Sequence, residues 1–521
     1  NEDHPLYSLI EIPSSTDRFV ELPMIDNQRF IILVDDIIRL NLHKIYQQFD
    51  IEYIESFCIK LTRDAELDID IDISKSLIEK ISQSVEARKK GAPVRFVYDE
   101  GINPDLLEFL IHKLHMQNNE NKIPGGRYHN FKNFMSFPDF GLKHLINPKS
   151  SAISHPLLDE SKTFFEVLDK QDVLLHYPYQ NFSYLIDFIR EAAIDPHVTT
   201  IKMTLYRVAN YSMVANLLIN AAKNGKKVVA VVELQARFDE ESNIYWAKKM
   251  QEEGVSVIYG VQGLKVHSKL CLITRVKKDV RTRYVNLSAG NFNEKTSQIY
   301  SDTALFTADE RLTYESNKAF QFFQNNFKVY NFKHLIVSPH QSRIKFYELI
   351  DQEIEHARKG KEAAIFAKMN SLVDTEMIDK LYLAAESGVK IRLIVRGICS
   401  LIPELENLKG NIEIISIVDK YLEHSRIFIF HNKGKKKYYL SSSDWMQRNL
   451  DFRVEITFPI YAESQQAELD FFMENQWNDN TKSRIIDSQF KNLYKVDKAK
   501  KNRAQLTFHN YLKEKYSANE D

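Results

Sequence analysis

Two short stretches carry the side chains best suited to phosphorus chemistry: Val266-His267-Ser268-Lys269 and Glu423-His424-Ser425-Arg426. In each, a histidine stands two residues before a cation at the entry to an apolar run, Leu270 to Ile273 or Ile427 to Phe430. Residues i and i+2 of a strand share a face, so each His and its cation are expected to project together while the alternate residues pack a sheet. A second block then brings Asn291 in one copy, and Ser443 and Asp444 in the other. A third brings Asp302 or Glu455, suited to accept a hydrogen bond from imidazole Nδ1–H, which fixes the tautomer and leaves Nε2 free to attack or to protonate. Two such half-sites, facing each other across a pseudo-twofold, suit transfer of a phosphoryl or phosphodiester group through a covalent phosphohistidine. One imidazole attacks phosphorus in line, the other serves the leaving or entering oxygen, and Lys269 and Arg426 hold the equatorial oxygens. Any single one of the 16 histidines is by default a surface or core residue. The matched contexts of this pair set it apart.

Other cations fall where strands are expected to end: Lys202 and Arg207 in Ile201-Lys202-Met203-Thr204-Leu205-Tyr206-Arg207, Arg237 in Gln235-Ala236-Arg237, and Arg396 in Val395-Arg396-Gly397. Carboxyl ends of sheet strands are the usual ligand edge, and an arginine there offers phosphate a bidentate fork. The competing reading of each is a surface ion pair, for instance Arg237 with Asp239 or Glu240. Tyr300, two residues before Asp302, is placed to stack a base or donate to phosphate, with ordinary sheet packing as the alternative.

The elements that must position these residues are repeated. Ala221-Ala222-Lys223-Asn224-Gly225 recurs as Ala384-Ala385-Glu386-Ser387-Gly388, 163 positions on; the two histidine motifs are 157 apart; Leu287-Ser288-Ala289-Gly290-Asn291 recurs 153 later as Leu440-Ser441-Ser442-Ser443-Asp444, and Asp302 falls opposite Glu455 at the same offset. Four blocks in one order, with a slow one-way drift, indicate two copies of one α/β domain. Within the first copy the pattern predicts strands over Thr199 to Leu205, Lys227 to Leu234 and Val255 to Tyr259, and helices over Met213 to Lys223 and about Ile244 to Glu253, ended by Gly225 and Gly254. Ahead of the repeats, Ile31 to Ile37 and Val94 to Tyr98 read as strands, Ser74 to Lys89 and Pro104 to Met116 as helices, and Pro124-Gly125-Gly126-Arg127 as a turn. The expected organisation is a mixed α+β domain over 1–150, a first α/β sandwich over 151–333 and a second over 334–521. The last stretch holds a helix through Phe471-Phe472-Met473 and then a basic tail, read as a solvated helix face.

Composition bounds the alternatives. The chain has 521 residues, with Lys+Arg 70 against Asp+Glu 71 and a net charge of −1, so no global basic surface argues for nucleic acid or membrane. A bound polyanion would need a local cation cluster. Cys58, Cys271 and Cys399 fit neither a disulfide framework nor metal-ligand spacing, which suits a reducing compartment. No apolar stretch approaches the ~18 residues a membrane span needs, and the first residues, Asn1-Glu2-Asp3-His4-Pro5, show no secretory signal and no Met, as in a fragment or trimmed chain.

The tandem His-x-Lys motif resembles the phospholipase D superfamily, and the detail is similar to the bacterial polyphosphate kinase family of the long-chain type. Arg127-Tyr128-His129-Asn130-Phe131, Thr204-Leu205-Tyr206-Arg207, Glu233-Leu234-Gln235-Ala236-Arg237-Phe238-Asp239-Glu240, Leu422-Glu423-His424-Ser425-Arg426, Ser443-Asp444-Trp445-Met446 and Arg448-Asn449-Leu450-Asp451 carry that resemblance, which spans nearly the whole chain. It implies two phospholipase D-like domains facing each other and reversible transfer of the ATP γ-phosphate to a polyphosphate end, releasing ADP, with Mg²⁺. It further implies His267 as the phosphorylated nucleophile and His424 as the second histidine at the ATP phosphates. Tyr300 and Arg396 then fall on ATP-contacting positions, with Asn291 and Lys202 beside them. Arg207 and Arg237 fall at a magnesium–phosphate site, where a guanidinium, lacking a lone pair, would hold phosphate rather than metal. The expected setting is cytoplasmic, with or without membrane association, in a dimer or tetramer of the full-length protein, with no nucleic-acid partner. Two departures from the full phospholipase pattern, Thr274 where an Asp would follow and Arg426 in place of Lys, fit the kinase. The family also carries a small helical domain ahead of this region that serves nucleotide binding and dimer contacts. The alternatives are a phosphodiesterase or nuclease using water as acceptor, and a truncated, non-catalytic polyphosphate-binding scaffold.

Overall fold

The computed structural model describes the chain apart from residues 1–4, 14, 64–92, 118–120, 162, 237–238, 329, 409, 498–499 and 518–521. It divides into two compact units, Asn1–Lys149 and Ser150–Asp521.

In the first unit, β1 (Phe19–Ile25) and β2 (Gln28–Leu33) form a hairpin across Asp26 and Asn27. Both have positive φ, 48° and 62°, the conformation a two-residue turn demands and that Asp and Asn tolerate. The strand expected over Ile31 to Ile37 stops at Leu33, because Val34–Leu40 is helical and Asp35 is drawn inside by Arg18, whose Nε and Nη2 donate to its carboxylate at 2.6 and 2.7 Å. A second sheet has β3 (Ile59–Arg63) antiparallel to β4 (Pro93–Asp99) and β4 parallel to β5 (Lys122–Gly125). The stretch from Pro124 read as a turn therefore begins inside a strand. Pro104–Lys113 is a helix capped by Asn103, whose side chain accepts from the Asp105 N–H. The helix expected over Ser74 to Lys89 lies outside the described residues.

The second unit holds both repeats. The first sheet runs β6 (Val173–Tyr177), β13 (Tyr300–Thr307), β12 (Val280–Ser288), β11 (Lys269–Lys277), β7 (Val198–Leu205), β8 (Lys227–Val232), β9 (Ser256–Tyr259). The second runs β14 (Ile336–Val337), β22 (Ile456–Ile460), β20 (Lys437–Ser441), β19 (Arg426–Phe430), β15 (Ala364–Met369), β16 (Lys390–Val395), β17 (Ile412–Ile417), and adds β23 (Ser483–Ile485) at its edge. Order and sense match strand for strand: the last three of each seven are parallel, the rest antiparallel. The duplication read from four short blocks is thus a duplication of the whole topology. The helix Met213–Lys223 falls where its periodicity predicts, capped by Ser212 and stopped before Gly225 at φ 78°.

Residues of both repeats share one hydrophobic core, with Leu270, Leu287, Leu305 and Phe320 against Ile427, Ile429, Leu440 and Phe458. Along β19 the alternation is strict: Ile427 and Ile429 enter this shared core, while Phe428 and Phe430 pack the outer layer with Phe346 and Trp445. The C-terminal helices Glu463–Trp477 and Ala504–Ser517 join it through Phe472, Met473, Phe508 and Leu512. The tail read as a solvated helix face therefore buries one side of its final helix.

Two very short strands cross between the repeats. β10 (Lys265–Val266) pairs in parallel with β21 (Arg453–Val454), and β18 (Leu422–Glu423) pairs in parallel with the start of β13 at Tyr300 and Ser301. Each histidine follows its crossing strand directly.

Candidate active site

Each histidine and its cation do come together, Arg426 Nη1 lying 3.1 Å from His424 Nε2 and the Lys269 charge acting on His267, but not through the i, i+2 register of a continuous strand. The chain leaves one ladder before His267 and enters another after Ser268; the N–H groups of both donate to the carbonyl of Val454, at 2.9 Å each. His424 and Ser425 do the same to Ser301, at 3.1 and 2.9 Å. The histidines therefore sit at the break between ladders, where the side chain is aimed by the other repeat's backbone.

The other repeat also supplies the acid. His267 Nδ1 lies 2.8 and 2.9 Å from the carboxylate oxygens of Glu455, and His424 Nδ1 lies at the same distances from those of Asp302. Reading each half-site from one copy had paired them the other way. Glu455 is braced by the Ser442 hydroxyl and by Asn449 Nδ2 at 2.6 Å. Asp302 lies over Gly290, where an added Cβ would come within 2.2 Å of Oδ2. Gly290→Ala should therefore displace the carboxylate from His424, costing about 1–3 kcal/mol of stability as overpacking does and most of the activity. Thermal denaturation and turnover on one preparation check it, and an unchanged, fully active variant would refute the contact.

Burial dominates the electrostatics. It pushes His267 well below its ordinary range, and Lys269, Arg453 and Arg426 push it further; His424 is pushed down to about 4 by burial, against the pull of Asp302. Both rings are neutral at pH 7, with an Nε2 lone pair to use. Burial raises the Asp302 carboxyl, but His424, Arg426 and Lys269 outweigh it and hold it below its usual value. Glu455 is raised by burial.

The two cations differ. Arg426 donates to the Asp444 carboxylate through Nε at 3.2 Å and Nη2 at 3.1 Å, and Asp444 also accepts from the Asn370 N–H. At the matching place of the first repeat Asn291 replaces that aspartate, and both Lys269 Nζ and Asn291 Oδ1 are buried without a hydrogen-bond partner among the described residues. Burial takes Lys269 down to about 7. Arg426 Nη1 lies 3.2 and 3.1 Å from His424 Nδ1 and Nε2, whereas His267 Nε2 meets no hydrogen-bonding group among the described residues.

Tyr300 packs beside His424, its ring centroid 5.0 Å away, and Tyr206 stands edge-on to His267 at 4.6 Å. Arg396 lies in the same region, its Nε donating to Asn370 Oδ1 and to the Glu423 carbonyl. Arg207 pairs at 3.2 Å with Asp239, the acid that had been offered to Arg237; Arg237 itself lies outside the described residues. Lys202 is not brought to the histidines: its Nζ donates to Asn317 on the helix Glu310–Gln324. One charged residue beside His267 was missed, Arg453, which pairs in register with Lys265 as Tyr300 does with Leu422. The 153-residue offset that joins Asp302 to Glu455 carries Tyr300 onto Arg453, and would have found it. Arg453 and its neighbour Arg448 form no ion pair with any described residue, and burial with Arg453's charge lowers Arg448.

The chain matches family models over nearly its whole length: the polyphosphate kinase middle domain at residues 1–137, and the polyphosphate kinase C-terminal domains 1 and 2 at 163–329 and 335–505. Among curated proteins it is 45% identical over 512 residues to the polyphosphate kinase of Yersinia pestis, covering 97% of this chain and 74% of that one. It is 44% identical over 514 residues to the polyphosphate kinase of Escherichia coli K12, covering 97% and 75%. Among solved structures, polyphosphate kinase from Porphyromonas gingivalis superposes with a TM-score of 0.82 at 35% identity, covering 96% of this chain and 74% of that one.

Proposed function

Because the chain belongs to the polyphosphate kinase family, we propose that its ATP:polyphosphate phosphotransfer runs through His267, with His424 as its partner. The observation that carries this reading is the pair of crossed His–carboxylate contacts, which leaves two neutral imidazoles at one cationic centre. Glu455 holds the proton on Nδ1 of His267, so Nε2 attacks the γ-phosphorus; an N–P bond forms as the β,γ-bridging P–O bond breaks and ADP departs. The terminal oxygen of polyphosphate then attacks the same phosphorus, and the N–P bond breaks. Each step is reversible.

The asymmetry between the repeats supports the division of labour. Among the described residues His267 Nε2 is unengaged, while the neutral His424 ring lies against Arg426, which suits His424 to accept a proton from the entering phosphate oxygen rather than to attack. Lys269, whose buried Nζ has no partner among the described residues, is suited to hold oxygens of the moving phosphoryl group, and the Asn291 side-chain N–H₂ to donate to them. Tyr300 and Arg396, beside His424, are assigned to the nucleotide.

Magnesium is assigned to the substrate. Arg207 has no lone pair to give, Asp239 is occupied by it, and no three His, Cys, Asp or Glu side chains converge as a metal cage among the described residues. The cation would then arrive on the triphosphate, and the arginines would hold phosphate oxygens. Among the described residues no helix is long and apolar enough to cross a membrane; a cytoplasmic, homo-oligomeric enzyme is part of the same proposal. The phosphodiesterase alternative is not favoured, since the relatives are named as kinases.

Incubation with γ-labelled ATP and Mg²⁺ should leave acid-labile, base-stable phosphate on the protein. His424→Ala should slow turnover by roughly 10²–10⁴ if it acts as an acid–base group. An unlabelled, folded protein would sink the histidine route; diester cleavage without nucleotide would revive the alternative.

A further inference from the structure

The backbone that presents each histidine must be tied on the side away from its crossing partner, and the repeats solve this differently. In the first, Glu233, one residue past β8, does it from within: its carboxylate accepts from the Val266 N–H at 2.7 Å and from the Gln235 N–H at 2.8 Å. The residue one past β16 in the second repeat is Arg396. A guanidinium cannot accept a hydrogen bond, and this one donates to the Glu423 carbonyl instead.

The missing tie comes from the C-terminal helices. Gln505, in the first turn of Ala504–Ser517, accepts from the Tyr421 N–H at 2.9 Å and donates back to the Tyr421 carbonyl at 2.9 Å, as a neighbouring strand would. The same Nε2 donates to Glu423 Oε1 at 2.6 Å, and Gln476, from Glu463–Trp477, donates to Oε2 at 2.7 Å. Lys368 Nζ completes the set at 3.1 Å. Glu423 is 2% exposed, Gln505 3% and Gln476 1%. Such a set of buried, mutually bonded polar groups fixes geometry rather than merely filling space.

We propose that Gln505, assisted by Gln476, is a positioning residue for phosphoryl transfer, acting through Tyr421 and Glu423 on His424, and that this arrangement releases Arg396 for the nucleotide. The proposal rests on the role given to His424 above. A misplacement near 1 Å at a reacting group costs about 10²-fold, so Gln505→Leu should lower kcat ten- to hundredfold. The KM for polyphosphate should stay unchanged, and the acid limb of the rate profile should move up as water reaches His424.

The decisive measurement is a double-mutant cycle per mole of folded protein. Adding Gln505→Leu to His424→Ala should cause no further loss, because the group it positions is gone. Full kcat in the single variant, or an equal fractional loss in both backgrounds, would overturn the proposal. A fully active His424→Ala would instead remove the underlying assignment. If Gln505→Leu does not fold, Gln476→Leu takes its place in the same cycle, with the same expected and contrary results.

Discussion

His267→Ala is expected to abolish polyphosphate synthesis, by more than about 10⁴-fold, and with it all acid-labile label from γ-labelled ATP. Loss of a covalent nucleophile removes the pathway, not one contribution to it, and what survives is the catalysis that binding and oxyanion-type contacts give alone. The effect should exceed that of His424→Ala because the two rings are not equivalent: among the described residues His267 has its Nε2 open, and His424 has Arg426 against it. Fold should be preserved, since the shared core lies in other side chains. Label retained by His267→Ala but lost in His424→Ala would reverse the assignment.

The second large effect separates the two acids. Glu455→Gln should impair the first half-reaction, the labelling of His267, by about 10²–10⁴-fold. An amide Nε2 at that place donates to Nδ1, driving the proton to Nε2 and removing the lone pair that attacks. Asp302→Asn should leave His267 open to phosphorylation while slowing turnover through His424. Single-turnover labelling set beside steady-state synthesis distinguishes them. If each acid served the histidine of its own repeat, the two variants would exchange phenotypes.

Much of this centre is legible in the linear sequence. His267, His424, Lys269, Arg426, Asp302 and Glu455 announce themselves because they recur in order, and repetition survives without any knowledge of contacts. The partners of the two acids do not, because they depend on β10 meeting β21 and β18 meeting β13 over separations of more than a hundred residues. Local periodicity holds no record of such pairings. The i, i+2 rule brings each histidine to its cation but presumes an unbroken ladder, and the ladder breaks at each histidine. Arg453 was missed because in its own segment it is one more charged strand residue, and it gains meaning only opposite Tyr300. The tail was misjudged by charge counting, which hid Phe508 and Leu512 among its ten basic residues from Thr481 onward. Lys202 shows the converse error, a cation in a promising strand that bonds to a neighbouring helix.

The crossed acids bear on how such a chain could arise. A molecule with one repeat would hold a histidine and a carboxylate that cannot serve each other, and would be inert alone. Two copies meeting about a twofold axis would complete both pairs at once, so activity would first belong to a homodimer. Joining the copies end to end frees them to diverge without losing that mutual dependence. Arg426 with Asp444, against Lys269 with Asn291, is where the two half-sites now differ. Cutting the chain between the repeats would undo the enzyme even if each half kept its fold, and mixing the halves is the condition under which it would return.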